Sequence, residues 1–97
     1  MVNRQYELGF IIPSNMAESD TQTVIGAVQE WIEKNEGSVT KVDYWGRRRL
    51  AYPINDFHEG YYVFLQMEYP TRRLDDLEHN LHFDERILRH LIVRLDE

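Results

Sequence analysis

Apolar residues recur with two different periods along this chain, and the changes of period mark out its elements. In "YELGFII" (6–12) almost every second residue is apolar, which is typical of a strand with one buried face. Residues 19–37 instead carry apolar side chains at helical spacing, which predicts an amphipathic helix with Trp31 in the core. Its stripe consists of Val24, Ile25, Val28, Trp31 and Ile32.

Three positions suggest where the helices begin and end. Ser19 followed by Gln22 fits a capping box at the start of the first helix, and Gly37 fits the left-handed residue that ends it. Thr71, after Pro70, is predicted to cap a second, shorter helix. The apolar stripe of that helix is Leu74, Leu77 and Leu81.

The second half of the chain predicts three more strands. "SVTKVDYWGRRRLAYPI" (38–54) is rich in β-branched and aromatic residues and is long enough for a strand with a bulge at Gly46. After the predicted loop 55–60, "YYVFLQMEY" (61–69) alternates strongly. "RILRHLIVRL" (86–95) closes the chain as a strand.

The resulting order is β-α-β-β-α-β, which predicts one α+β domain over residues 1–97. This is the ferredoxin-like βαββαβ sandwich, a four-stranded antiparallel sheet with two helices on one face. The first and third strands are expected in the centre because they are the most hydrophobic. If Val63 and Leu65 enter the core, then Tyr62 and Phe64 point to the open side of the sheet.

Composition excludes several classes of protein. The chain has no cysteine, so disulfides, thiolate metal sites and cysteine nucleophiles are ruled out. No apolar run approaches the roughly 18 residues that cross a bilayer, and the N-terminus lacks the features of a signal peptide. We therefore expect a cytoplasmic protein with no membrane partner.

The charges are unevenly distributed along a chain whose net charge is −6. The Asp, Glu, Lys and Arg residues within 18–36 and 74–85 are acidic with the single exception of Lys34, whereas residues 41–54 contain Lys41 and three consecutive arginines, Arg47 to Arg49. Arginine matches phosphate oxygens with a planar fork of donors, and the neighbouring aromatic residues offer stacking surfaces. Positive charge on an edge strand also blocks aggregation between sheets, so an anionic partner and edge protection both remain possible at this point.

No catalytic or metal site is evident in the sequence. His79 and His82 are spaced for a metal, but no third ligand accompanies them. Asp75 and Asp76 occupy adjacent helix positions and point apart, which argues against an acid–base dyad. An acylphosphatase-like enzyme of this fold needs an arginine in the loop after the first strand, and "PSNMAESD" (13–20) has none. We therefore expect no enzyme, no cofactor and no small-molecule substrate.

One segment carries a specific resemblance to a known family. "GRRRLAYPIN" (46–55) resembles the signature of the bacterial-type small-subunit ribosomal protein six family. That signature is a Gly, any residue, a basic residue, a polar or charged residue, Leu, a small residue, Tyr, any residue, Ile, and a small polar or basic residue. "RQYELGFIIP", "EGYYVFLQMEYP" and "ILRHLIVR" are also similar to the family, so the resemblance covers essentially the whole chain.

The resemblance implies a structural protein of the small ribosomal subunit. Such proteins have the ferredoxin-like fold and bind small-subunit ribosomal RNA (rRNA) as a heterodimer with small-subunit ribosomal protein eighteen. Arg47 stands at an unconstrained position of the signature. The candidate RNA-binding or partner-facing residues are Arg4, Arg47, Arg48, Arg49, Tyr52, Arg89 and Arg94. Many members also carry a longer acidic tail, whereas this sequence ends at Asp96-Glu97.

Three aromatic residues are candidates for contact with the protein partner. Tyr62 and Phe64 allow base stacking, but "GYYVFLQM" lacks the opening of the RNA-recognition motif, so we favour protein contact. Trp45 fits core, partner or RNA contact equally well. The acidic helix face either meets a basic partner or simply faces solvent, and reversal of Asp75 and Asp76 distinguishes these two possibilities. A small sensor domain that forms homodimers through the open side of its sheet is the alternative function.

Overall fold

The computed structural model of this chain describes residues 3–95. Asp96 and Glu97, after which an acidic tail would continue, lie outside the described residues. In chain order the elements are β1 (Asn3–Pro13), α1 (Glu18–Lys34), β2 (Ser38–Ile54), β3 (Phe57–Pro70), a 3-10 turn (Thr71–Arg73), α2 (Leu74–Phe83) and β4 (Arg89–Arg94).

The four strands form one antiparallel sheet in the order β2-β3-β1-β4. β1 and β3 are central, as their hydrophobicity predicted. Together with the two helices, this sheet is the predicted ferredoxin-like α+β sandwich. The predicted element order is therefore confirmed.

The core lies between one face of the sheet and the helices. Alternate residues of β1 and β3 enter it, and Leu77 and Leu81 of α2 meet them from the other side. The α1 stripe is buried as predicted, except that Trp31 packs against the core and stays partly exposed. The central strands contribute Tyr6, Leu8, Phe10, Ile12, Tyr61, Val63, Leu65, Met67 and Tyr69. Neither helix of residues 3–95 packs on the other face of the sheet.

The predicted side-chain caps at the helix N-termini are not formed. α1 begins at Glu18, one residue before Ser19, and Ala17 is its N-cap. The Thr21 hydroxyl donates to the Glu18 carbonyl at 2.6 Å and stabilises the first turn from inside the helix. Thr71 starts a 3-10 turn instead of capping α2.

The end of α1 also differs in one residue from its prediction. Glu36, with a φ of 72°, is the left-handed residue instead of Gly37. The Gly37 N–H donates to the Ile32 carbonyl at 2.9 Å, which completes a Schellman motif. Gly37 is needed for space, because a Cβ there would lie 2.5 Å from the Tyr69 ring.

A tight turn joins β2 and β3. Asn55 and Asp56 have φ values of 49° and 69°, the signature of a type I′ turn, and Ile54 pairs directly with Phe57. The predicted loop 55–60 is therefore only two residues long. Gly46 has a φ of 81° at a shift of register, which confirms the predicted bulge.

A partly buried ion pair lies in the segment between α2 and β4. The Asp84 carboxylate accepts hydrogen bonds from the Arg86 backbone N–H at 2.8 Å and from its guanidinium at 2.7 and 3.0 Å. Only 12% of the Asp84 side chain is exposed. These bonds from Arg86 hold the pKa of Asp84 below its ordinary value.

Replacing Asp84 with asparagine is expected to lower the free energy of unfolding at pH 7 by about 1 kcal/mol, because the amide accepts weaker bonds. The pKa of Asp84 is lower in the folded protein than in the unfolded chain, where it is about 3.9. The stability that Asp84 contributes is therefore complete above about pH 3.9 and is lost as the pH falls through the folded-state pKa. The variant should therefore lose less stability than wild type below about pH 4. Urea denaturation at several pH values measures this. Glu85→Gln is the control, and a wild-type pH profile in D84N would contradict the assignment.

Candidate nucleic-acid and protein interface

The helix-free side of the sheet, called the open face here, carries the residues that alternate with the core. Phe64 of β3 lies across β1, since a Cβ on Gly9 would stand 2.8 Å from its ring. The predicted orientation of Tyr62 and Phe64 is confirmed, because Val63 and Leu65 are buried in the core between them. The open face consists mainly of Gln5, Glu7, Gly9, Ile11, Lys41, Asp43, Trp45, Tyr62, Phe64, Gln66, Glu68, Arg89, Leu91 and Val93.

An apolar groove of about 210 Å³ runs along the open face over β1. Tyr62 and Phe64 form one wall and the β4 residues Leu91 and Val93 form the other. Leu91 is 66% exposed, and Leu95 continues the same alternation beyond the end of β4. A contiguous apolar strip of this kind is typical of a surface that another molecule covers.

Trp45 sits on the open face at the bulge of β2. Its ring lies 4.5 Å from that of Phe64, and its indole N–H donates to the Asp43 carboxylate at 3.1 Å. The Arg48 guanidinium stacks over Trp45 at 5.4 Å from the ring centroid. Trp45 remains 47% exposed, so of its three possible roles the core is excluded.

The three consecutive arginines have different surroundings. They begin the basic hairpin, the part of β2 and β3 from residue 47 to residue 59. The Arg47 guanidinium is bound to the Glu59 carboxylate at 2.7 Å, and this hydrogen bond raises the pKa of Arg47. Arg48 and Arg49 are exposed and have no acidic partner within residues 3–95. Two of the three arginines are therefore available to an anion.

Tyr52 and Arg89 join the basic hairpin to the opposite edge of the sheet. The Arg89 guanidinium donates to the Tyr52 hydroxyl at 2.7 Å and lies 5.8 Å from the centroid of its ring. This contact reaches from β2 to β4 across both central strands. It places Arg89 next to the basic hairpin, where Arg48 lies on the open face beside Trp45, while Arg49, opposite Glu59, points to the other side of the sheet.

Arg4 and Arg94 lie elsewhere. Arg4 pairs with Tyr69 and Arg94 pairs with Tyr6, whereas Arg89 pairs with Ile11. Seven residues of β1 separate Arg4 from Ile11, roughly 23 Å at 3.3 Å per residue. The structure therefore does not bring Arg4 and Arg94 together with the arginines of the basic hairpin.

Several residues of the open face were missed by the sequence analysis. Leu91 and Val93 point away from the core while Ile92 points toward it, so β4 is apolar on both sides. The run "HLIVRL" contains that signal, because a strand with one exposed face alternates with polar residues. Glu7, in the middle of β1, is the other omission.

The described residues offer no metal site. No group of three His, Cys, Asp or Glu side chains within residues 3–95 is arranged to hold a metal ion. The rings of His79 and His82 instead pack against Phe83, with centroids 4.7 and 5.0 Å away. None of the helices in the described part of the chain is long and apolar enough to cross a membrane.

Comparison with known proteins gives one consistent family. Residues 5–94 match the family model described as ribosomal protein S6. The chain is 37% identical over 94 residues to small ribosomal subunit protein bS6 of Dictyoglomus turgidum, which covers 97% of each chain. It is 34% identical to the bS6 protein of Carboxydothermus hydrogenoformans, covering 97% of this chain and 98% of that one.

A solved structure agrees with these relatives. The crystal structure of 30S ribosomal protein S6 from Thermotoga maritima superposes with a TM-score of 0.91 at 30% identity. The match covers 97% of this chain and 89% of the Thermotoga maritima chain.

Proposed function

Because this chain belongs to the ribosomal protein S6 family and is thus a structural protein of the small ribosomal subunit, we propose that it binds small-subunit rRNA together with small-subunit ribosomal protein eighteen. Its relatives are components of the ribosome in the cytoplasm and not enzymes. The observation that carries the proposal is the separation of two surfaces of different chemistry, the basic hairpin and the apolar open face.

The basic hairpin, together with Arg89 of β4, is the RNA-binding surface of this proposal. Arg48, Arg49 and Arg89 offer guanidinium groups to phosphates, and the exposed ring of Tyr52 offers a stacking surface. Arg47 contributes little, since Glu59 already neutralises it. Arg4 and Arg94 serve a different contact, at the far end of the sheet.

The open face is the surface for the protein partner. Its groove is apolar, and Glu7, Asp43 and Glu68 place carboxylates on the same face. Carboxylates repel RNA phosphates, while aromatic residues such as Trp45 and Phe64 are enriched in the centres of protein interfaces. Protein contact therefore fits this face better than stacking of bases.

The acidic residues at the start of α2 have an explanation that requires no partner protein. Asp75 and Asp76 lie in the first turn of α2, where negative charge stabilises the helix through its dipole. Reversing both charges is expected to leave heterodimer formation unchanged. A loss of the heterodimer would instead assign the helices to the interface.

Replacing Phe64 with alanine is expected to weaken binding to protein eighteen at least tenfold, because a central aromatic anchor is lost. Isothermal titration calorimetry with purified protein eighteen measures it. Phe83→Ala is the matched control, since Phe83 lies on α2 and is 68% exposed. Wild-type affinity in a folded Phe64→Ala variant would remove the open face from the interface.

The exposed strip formed by Leu91, Val93 and Leu95 also fits a second copy of this chain. Sedimentation of the protein alone separates the two cases. A monomer that pairs with protein eighteen supports the ribosomal function. A homodimer that Phe64→Ala dissociates would support the alternative of a sensor domain.

A further inference from the structure

Glu7 stands out among the residues of the open face. It lies on the central strand β1, opposite Gln66 on β3 and Val93 on β4, and it is partly buried. Within residues 3–95 its carboxylate has no hydrogen-bond donor and no cation as a partner. The Glu7 oxygens are not among the buried polar atoms without a partner in the described chain, so the carboxylate is open to water in the free protein, and it needs a partner only when another molecule covers the face.

The other carboxylates of this face are already satisfied. The Gln5 amide donates to Glu68 at 3.1 Å, and the Trp45 indole donates to Asp43 at 3.1 Å. Glu7 differs from them because its neighbours across the sheet are Val93 and the uncharged Gln66.

The positive charges that share the open face with Glu7 are Arg89 and Lys41, and neither is paired with it. Arg89 pairs with Ile11, four residues along β1, roughly 13 Å at 3.3 Å per residue. Lys41 pairs with Gln66 and is thus two strands away, roughly 9.5 Å. Neither forms an ion pair with Glu7 in this structure, so its carboxylate can pair with a charge on another molecule.

The volume of the groove beside Glu7 limits the size of the partner side chain that can insert into it. Its volume of about 210 Å³ lies between Phe64 and Leu91, over Gly9. An apolar cavity of about 150 Å³ holds one benzene molecule. The groove therefore accommodates one aromatic or branched aliphatic side chain, with Glu7 at its border.

We infer that Glu7 selects the protein partner of the open face by pairing with a lysine or arginine that flanks an apolar side chain inserted into the groove. The inference rests on the proposed function and names the chemistry of the segment that docks there. Covering Glu7 without a cation would leave a desolvated, unpaired charge, which is costly. RNA supplies no cation, so this requirement also favours a protein on the open face.

The first test compares Glu7→Gln with wild type for binding to protein eighteen in 0.1 M salt. Glutamine keeps the shape and removes the charge, so we expect affinity to fall about tenfold or more, mainly through faster dissociation. Glu33→Gln, on the exposed side of α1, makes the same change of charge away from the face and should bind as wild type does. Equal or tighter binding by E7Q would overturn the inference.

The second test identifies the matching charge. Glu7→Arg should abolish binding, and each lysine and arginine of protein eighteen is then changed to glutamate in turn. One such change is expected to restore binding to E7R while weakening binding to wild type. If wild type binds and no change rescues E7R, the inference fails alone; if wild type does not bind protein eighteen, the proposed function fails.

Discussion

Replacing Arg48 and Arg49 together with alanine is expected to weaken binding to a small-subunit rRNA fragment about fortyfold at 0.1 M salt. Each phosphate contact contributes about −0.8 to the slope of log affinity against log salt concentration. One contact therefore strengthens binding about sixfold when the salt is lowered from 1 M to 0.1 M. Both side chains are exposed, and within residues 3–95 neither has an acidic partner. Filter binding or fluorescence anisotropy across a salt series measures both the affinity and the slope.

Arg47→Ala is the matched control for this double variant. Arg47 is adjacent in sequence, but the Glu59 carboxylate already binds its guanidinium at 2.7 Å. Removing Arg47 therefore breaks an ion pair within the protein and removes no contact with RNA. We expect less than a threefold change in affinity and an unchanged slope, given about −0.8 for each true contact. Equal losses from Arg47→Ala and from either neighbour would show that only the total charge matters.

Replacing Phe10 with alanine is expected to lower the free energy of unfolding by about 3–5 kcal/mol. Phe10 is 2% exposed on the central strand β1, and it belongs to the buried cluster that also contains residues of both helices. Truncation removes its apolar contacts and leaves a cavity that the packed sheet cannot close. Since small domains are stable by only about 5–15 kcal/mol, the variant is expected to approach the limit of folding.

Urea denaturation of Phe10→Ala and Phe83→Ala compares the same substitution at a buried and an exposed site. Phe83 is 68% exposed, so its replacement should change stability by about 0.5 kcal/mol or less. A loss of less than 1 kcal/mol at Phe10, with an unchanged denaturant slope, would contradict the assigned core.

The sequence predicted those parts of the fold that depend on period and local turn chemistry. The element order followed from the alternation in β1 and β3 and from the helical stripe, and the bulge followed from Gly46. The predicted left-handed residue at the end of α1 was wrong by one position, since it is Glu36 and not Gly37. Gly37 instead allows close packing against Tyr69, a residue distant in sequence. Such contacts are not visible in local patterns.

The candidate site was predictable only as a set of residues. Arg47, Arg48 and Arg49 look alike in the sequence, and only the structure shows that Glu59, which lies opposite Arg49 in the strand register, binds the guanidinium of Arg47 instead. The contact between Tyr52 and Arg89 likewise crosses the whole sheet. These relations depend on strands that are far apart in the chain.

The most direct test of the account is binding of the wild-type protein to a small-subunit rRNA fragment, with and without protein eighteen, between 50 and 200 mM salt. If Arg48, Arg49 and Arg89 each contact a phosphate, their combined slope of about −2.4 lowers affinity roughly thirtyfold over this range. We predict this loss, together with tighter binding when protein eighteen is present. Salt-independent binding, or no binding of a folded protein in either condition, would contradict the account and leave the arginines as protection of the sheet edge.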